Sequence, residues 1–211
     1  MLKLRIFTLI LSLILMGCGA APGGDSLDGA NGDFGLPLSG ATQNNNTSWS
    51  LFKDGSYSSS QQTFLQTLNT ESASSAELAD AHSGIGWSKV KLTGSASGIQ
   101  SFRDALAKNS NQPEARVGLA GALISKGTKE EISEAVTVLE GIDPNNSNFT
   151  FFDRYNIGVS NAEAHALLAY AYFVKGDRTK ANVQIKVASD LDAQFSGTTV
   201  DQIAEILQFI P

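Results

Sequence analysis

The sequence predicts an all-α solenoid of helix-turn-helix repeats with a C-terminal capping helix. Three observations carry that prediction: a 34-residue period, a weaker 38-residue echo upstream of it, and helix breakers where paired helices must end. Residues 79–112, 113–146 and 162–195 superimpose with a period of 34, the length of one helical pair in a repeat array. At the seventh and eighth positions stand Ile85-Gly86, Leu119-Ala120 and Leu168-Ala169, a branched apolar residue followed each time by a small one. The twentieth, twenty-fourth and twenty-seventh positions read Gly98, Phe102, Ala105, then Ile132, Val136, Leu139, then Ala181, Ile185, Ala188. Small residues let two antiparallel helices approach and larger ones interlock them, and such a unit buries its remaining face only by stacking on a neighbour. Shifting the chain by 38 residues lays Trp49-Ser50 on Trp87-Ser88, Lys53 on Lys91, Ser59 on Ser97, Gln62 on Gln100, Phe64 on Phe102 and Leu68 on Leu106. This echo marks residues 46–74 as a further unit, truncated or capping as terminal units of solenoids are.

The chain opens with Lys3 and Arg5 ahead of a largely apolar run over 6–16, then Gly17-Cys18 and a glycine-rich stretch. A charged start, a short apolar core and small residues at a cleavage point describe an export signal, here residues 1–17, and the run is short for a membrane-spanning helix. Leu15-Met16-Gly17-Cys18 resembles the lipobox of bacterial lipoproteins, although Met16 departs from the small residue usual at its place. The resemblance implies that Cys18, the sole cysteine, is acylated and becomes the first mature residue, and that Gly19 after it favours the outer membrane. Several acyl chains anchor a protein stably, at about 0.8 kcal/mol per buried methylene.

Residues 18–45 are rich in Gly, Asn, Ser and Ala and bury too little to offset ordering, so they are expected to be a flexible linker of roughly 25–30 Å reach. Loss of the signal removes Lys3 and Arg5, leaving 13 basic against 21 acidic residues, a net charge of −8. An acidic body argues against nucleic acid as a partner and against electrostatic adhesion to anionic lipid. The remainder, residues 46–211, suffices for one domain.

Within it periodicity predicts helices near 46–53, 57–69, 75–92, 96–108, 113–126, 129–141, 161–175, 178–192 and 199–209. Gly127 and Gly176 are placed to end the first helices of their repeats in the left-handed conformation. Ser95 and Thr128 are placed to cap the helices that follow. Residues 147–160 interrupt the period with Phe149, Phe151, Phe152 and Tyr155, either a lid folded on adjacent helices or a loop that contacts a partner. Beyond the last repeat, Thr198 or Thr199 can cap a helix whose Val200, Ile203, Ala204, Ile206, Leu207 and Ile210 form one apolar face. That face, in the unit 198–211, suits a solvation cap, an occupant of the groove or a contact with another protomer.

These residues resemble the tetratricopeptide-repeat family, whose pattern has a large residue at position 4, Leu-Gly at 7 and 8, Tyr at 11, Ala at 20, Phe at 24, Ala at 27 and Pro at 32. The last unit matches best, with Leu168-Ala169, Tyr172, Gly176-Asp177, Ala181, Ile185 and Ala188. The middle unit closes with Ile142-Asp143-Pro144-Asn145-Asn146, much like the family's turn between repeats, whereas the unit at 79–112 is degenerate, with Lys89 at position 11. The resemblance implies a concave groove lined at positions 2, 5, 9, 12 and 13. Those positions are Asp80, Ser83, Trp87, Val90 and Lys91, then Glu114, Val117, Gly121, Ile124 and Ser125, then Glu163, Ala166, Tyr170, Phe173 and Val174. The lining is apolar in its middle with acid at its rim. Trp87, Val90, Val117, Ile124, Tyr170 and Phe173 are the expected partner-binding residues, open to a partner or filled by the C-terminal helix or the insertion. Family members that grip a terminal carboxylate use several Lys, Arg and Asn residues in the groove, of which only Lys91 has a counterpart here.

Chemistry is sparse. His82 and His165 occupy equivalent packing positions of separate units, which does not converge them on a metal, and one cysteine cannot build a thiolate zinc site. Gly-x-Ser-x-Gly, Gly-Lys-Ser and His-Glu-x-x-His are absent from the sequence. Glu130-Glu131 stand in a helix's first turn, where negative charge favours the dipole. The sequence thus points to a non-catalytic adaptor or assembly factor without cofactor or metal, lipid-anchored through Cys18 and facing the periplasm, with envelope proteins as partners. A peptide-presenting accessory protein and a cell-wall-associated enzyme or binding factor are the alternatives.

Overall fold

The computed structural model describes residues 38–196, which form eight α-helices and two short 3-10 turns without a strand among them. They are α1 Gly40–Lys53, α2 Tyr57–Leu68, α3 Ser75–Thr93, α4 Ile99–Lys108, α5 Pro113–Lys126, α6 Lys129–Glu140, α7 Asn161–Lys175 and α8 Arg178–Leu191. The 3-10 turns are Ser95–Gly98 and Ala193–Phe195. Consecutive helices pair, each second helix packs on the first helix of the next pair, and α1, α3, α5 and α7 touch in series as an inner layer. The expected export signal over 1–17, Cys18 and the expected capping unit over 198–211 lie outside the described residues.

The repeat register holds in the packing. Phe102 has no exposed surface, and a Cβ added at Gly86 or Gly98 would stand 2.5 or 2.7 Å from its ring, with one at Gly118 closer still. Phe64 occupies the same place one unit earlier, where a Cβ on Gly84 would overlap its ring. A phenylalanine from each of the second helices α2 and α4 therefore sits on a glycine of the next first helix. One unit further the corresponding residues are Val136 and Leu167, both buried, a smaller side chain where the phenylalanine stood and a larger one where the glycine stood.

Helix ends follow local chemistry. Ser74, Thr128 and Ser160 each accept from the amide three residues on, while Glu77, Glu131 and Glu163 return a carboxylate to the cap's own amide. Gly127 at φ 67° and Gly176 at φ 91° close α5 and α7 in the left-handed conformation as expected. Ser95 does not cap α4: it lies inside the 3-10 turn, and its hydroxyl pairs with that of Ser125 at 2.6 Å.

The N-terminal boundary also differs from expectation. Helix α1 starts at Gly40, capped by Ser39, so residues 40–45 belong to the first repeat and not to the linker expected through 45. Asn45 is buried, donating to the Glu77 carbonyl at 2.9 Å and accepting from Thr67 Oγ1 at 2.8 Å. A polar run reads as coil by composition, yet here its amides and hydroxyls bond the next repeat. The first unit is consequently a full helical pair.

Candidate functional site

Two tryptophans in equivalent positions set up the inner face. Trp87 on α3 is buried edge-on against Phe102 and donates through Nε1 to the Glu114 carbonyl at 3.1 Å. Trp49 on α1 instead donates to the Asp80 carboxylate, at 3.2 and 3.1 Å to its two oxygens. Asp80 and Glu114 are the second residues of their units, on α3 and α5, so successive inner helices each carry a carboxylate at the equivalent repeat position.

The insertion 147–160 crosses that face as a strap. Its root is pinned to the last repeat: Gln184 Nε2 donates to the Ser147 carbonyl at 3.0 Å, and the Phe149 ring stacks on His165 at 4.2 Å. His165 is fully buried between the Gln184 side chain at 2.6 Å and the Phe149 carbonyl at 3.0 Å, a packing role as expected. Phe149, Phe151 and Ile157 are buried, so the strap belongs to the core, although Phe152 stays 76% exposed. The Asp153 carboxylate accepts from the amides of Tyr155 at 3.2 Å, Ile157 at 2.9 Å and Gly158 at 3.0 Å. These bonds hold a tight turn in which Asn156 takes φ 55° and Gly158 φ 86°.

At the crest of the turn, Arg154 and Tyr155 enter the acidic face. Arg154 forks onto Glu114, Nε to Oε1 at 2.6 Å and Nη2 to Oε2 at 2.7 Å, while its own stem remains half exposed. Glu114 is wholly buried beneath it. Paired, planar contacts of this kind are the strong form of charge-assisted bond, and removing one partner strands a desolvated charge. The Tyr155 ring lies flat on Trp49, centroids 3.9 Å apart and planes 1° from parallel, and its hydroxyl lies beside the Asp80 carboxylate.

Electrostatics reflect this crowding. Burial pushes the Asp80 carboxyl up, with Trp49, Tyr155 and the Arg154 charge pulling against it. Burial pushes the Tyr155 phenol up as well, helped by the Asp80 charge, and the bonds to Glu114 hold the Arg154 guanidinium firmly protonated. Lys91, next along α3, is lowered by burial and feels the opposing charge of Asp153. Ser83, one turn after Asp80, is buried with its hydroxyl unpaired among the described residues.

The expected groove lining falls into two groups. Trp87, Val90, Val117 and Ile124 are 1–4% exposed, closed into the core, and present no surface to a partner in this conformation. The helices stack closely enough that positions 9 and 12 of the middle units face protein. Tyr170 and Phe173 on α7 are half-buried beside an exposed Val174, with the Arg178 guanidinium 4.3 Å over the Phe173 ring. The cluster of Trp49, Asp80, Glu114, Arg154 and Tyr155 was not foreseen as a unit. Its signal was present as two acidic second positions and, in the one aromatic insertion, a neighbouring Arg and Tyr.

No model of a known protein family matches the chain, and no curated protein matches it. Among solved structures it is similar to TTC0263, a thermophilic tetratricopeptide-repeat protein of Thermus thermophilus, at 16% identity and TM-score 0.54 over 80% of this chain and 81% of that one. It is also similar to residues 41 to the end of MamA from Desulfovibrio magneticus RS-1, at 16% identity and TM-score 0.55 over 82% and 97% of the two chains. A double mutant of MamA RS-1 aligns at 15% identity and TM-score 0.55, over 82% and 96%. Similarity at this level establishes the fold.

Proposed function

We propose that this tetratricopeptide-repeat solenoid is the recognition body of a lipid-anchored envelope protein. In this reading it is a non-catalytic adaptor or assembly factor held at the periplasmic side of the outer membrane through Cys18. The observation that carries the binding role is the inner face itself, where Asp80, Glu114 and Trp49 already hold an extended segment of polypeptide, the strap, by ionic, stacking and hydrogen-bonding contacts. Extended chains docked on a helical groove by aromatic and charged anchors are a recurrent form of peptide recognition. Leu15-Met16-Gly17-Cys18 supports the anchor, and the acidic composition supports a protein partner over nucleic acid.

Cross-linking capture from native membranes tests the reading in three forms of the chain. The wild type should sediment with membrane and recover a specific protein. Cys18→Ser should leave the membrane fraction. Tyr170→Ala with Phe173→Ala should stay membrane-bound, keep its helicity and melting temperature, and lose the partner. Unfolding of the double variant would assign both side chains to the core, and capture of nothing specific by the wild type would refute the adaptor.

A further inference from the structure

We propose that the crest of the strap is an internal ligand, and that the site it fills, Trp49, Asp80 and Glu114, takes from a partner a peptide carrying arginine followed directly by an aromatic residue. This deepens the adaptor reading and rests on it. The three anchors come from three different repeats, whereas the segment that fills them comes from a fourth place in the chain, between the third and fourth pairs. A lid needed only to cover apolar surface would place apolar residues against it, as Phe149, Phe151 and Ile157 do at the strap's root and exit. At the crest the residues are polar and complementary in kind: a guanidinium forked on a buried carboxylate, a flat ring on an indole, and a phenol on a second carboxylate.

The crest is also the part of the strap that can lift. Arg154 is half exposed and Asn156 is exposed, and Asp153 holds the turn's own amides, so the Arg154 and Tyr155 side chains can swing off their anchors while Ile157 stays buried. Once they leave, Glu114 and Asp80 meet water and are free to accept an equivalent cation and hydroxyl. A competing internal segment weakens apparent affinity by the fraction of time the site stands open.

The probe is a fluorescent peptide of the strap's own residues 148–158, added to the full chain and to Arg154→Ala with Tyr155→Ala. The variant should bind the peptide at least about tenfold more tightly than the wild type, as removal of an internal competitor closed nine-tenths of the time requires. Binding should fall with salt and vanish for the peptide whose arginine is replaced by glutamine. A folded variant that ignores the peptide, or binds both peptides alike, overturns the inference.

Should the double variant fail to fold, hydrogen exchange of the wild type decides. The strap's amides should exchange faster than those of α5 beneath them and faster still with peptide present. Exchange only with global unfolding overturns it. Concentration-dependent self-association that the peptide abolishes would give the site to a second copy's strap and equally overturn it. Partner capture dependent on Tyr170 and Phe173 that survives a failed peptide test would leave the adaptor standing and remove only this inference.

Discussion

Phe102 shows how one side chain reports the whole register. Three glycines from two units surround its ring, so no neighbour can move in to fill a void left by truncation. Phe102→Ala should therefore cost about 3–5 kcal/mol, the range for a buried aromatic removed from a packed core, measured by urea denaturation with an unchanged m-value. A loss below about 1 kcal/mol would show that the surrounding glycines collapse into the space. The sequence made this residue legible because its small partners recur at set intervals. It did not make Glu114 legible: an acid at a second position reads as solvated, and only the opposing Arg154 explains its complete burial.

Between elements, Glu77 joins two helix N-termini. It closes the capping box of α3 with Ser74 and accepts from the hydroxyls of Ser39 and Thr42 at the start of α1. Those bonds hold its carboxyl at about 2, below its ordinary 4.5, with the Ser39 hydroxyl the largest cause. A carboxylate depressed on folding contributes stability that is fully present above its unfolded value and is lost as pH falls through the folded one. Stability of the wild type should thus decline from about pH 4.5 towards pH 2, and Glu77→Gln should be weaker at neutral pH with a flatter acid limb in that window. Thermal melts from pH 2 to 7 check this; parallel curves would mean that Glu77 is not the linking group. The same bonds explain why α1 begins at Gly40: they tie a run of Asn, Thr and Ser, poor in apolar residues, to the second repeat.

Across the molecule, the strap changes how the repeats depend on one another. A simple solenoid couples each unit only to its neighbours, so terminal units fray first. Here the segment between the third and fourth pairs reaches Trp49 in the first, adding a contact of long range. Tyr155→Ala removes a stacked pair worth about 1 kcal/mol beyond burial. Hydrogen exchange should then rise several-fold in α1 and α2 and stay level in α7 and α8, which lie behind the strap's root. A uniform rise would show that the array unfolds as one unit regardless of the strap.

The sequence by itself determined the repeat unit, its register and nearly every helix end, because helix pairing depends on side chains a few residues apart that recur at a fixed period. Gly127, Gly176, Thr128 and the small residues facing Phe102 are all set by local sterics and hydrogen bonding. Only the tertiary structure decided what lies on the inner face. Trp87, Val90, Val117 and Ile124, expected to line a groove either open to a partner or filled by the chain itself, lie closed in the core, since the distance between stacked helices is set by both surfaces together. The Arg154 to Glu114 fork and the Tyr155 to Trp49 stack span 40 and 106 residues, distances over which no period relates one side chain to another. Their pairing follows from the path of an irregular loop, which packing selects and local propensity does not.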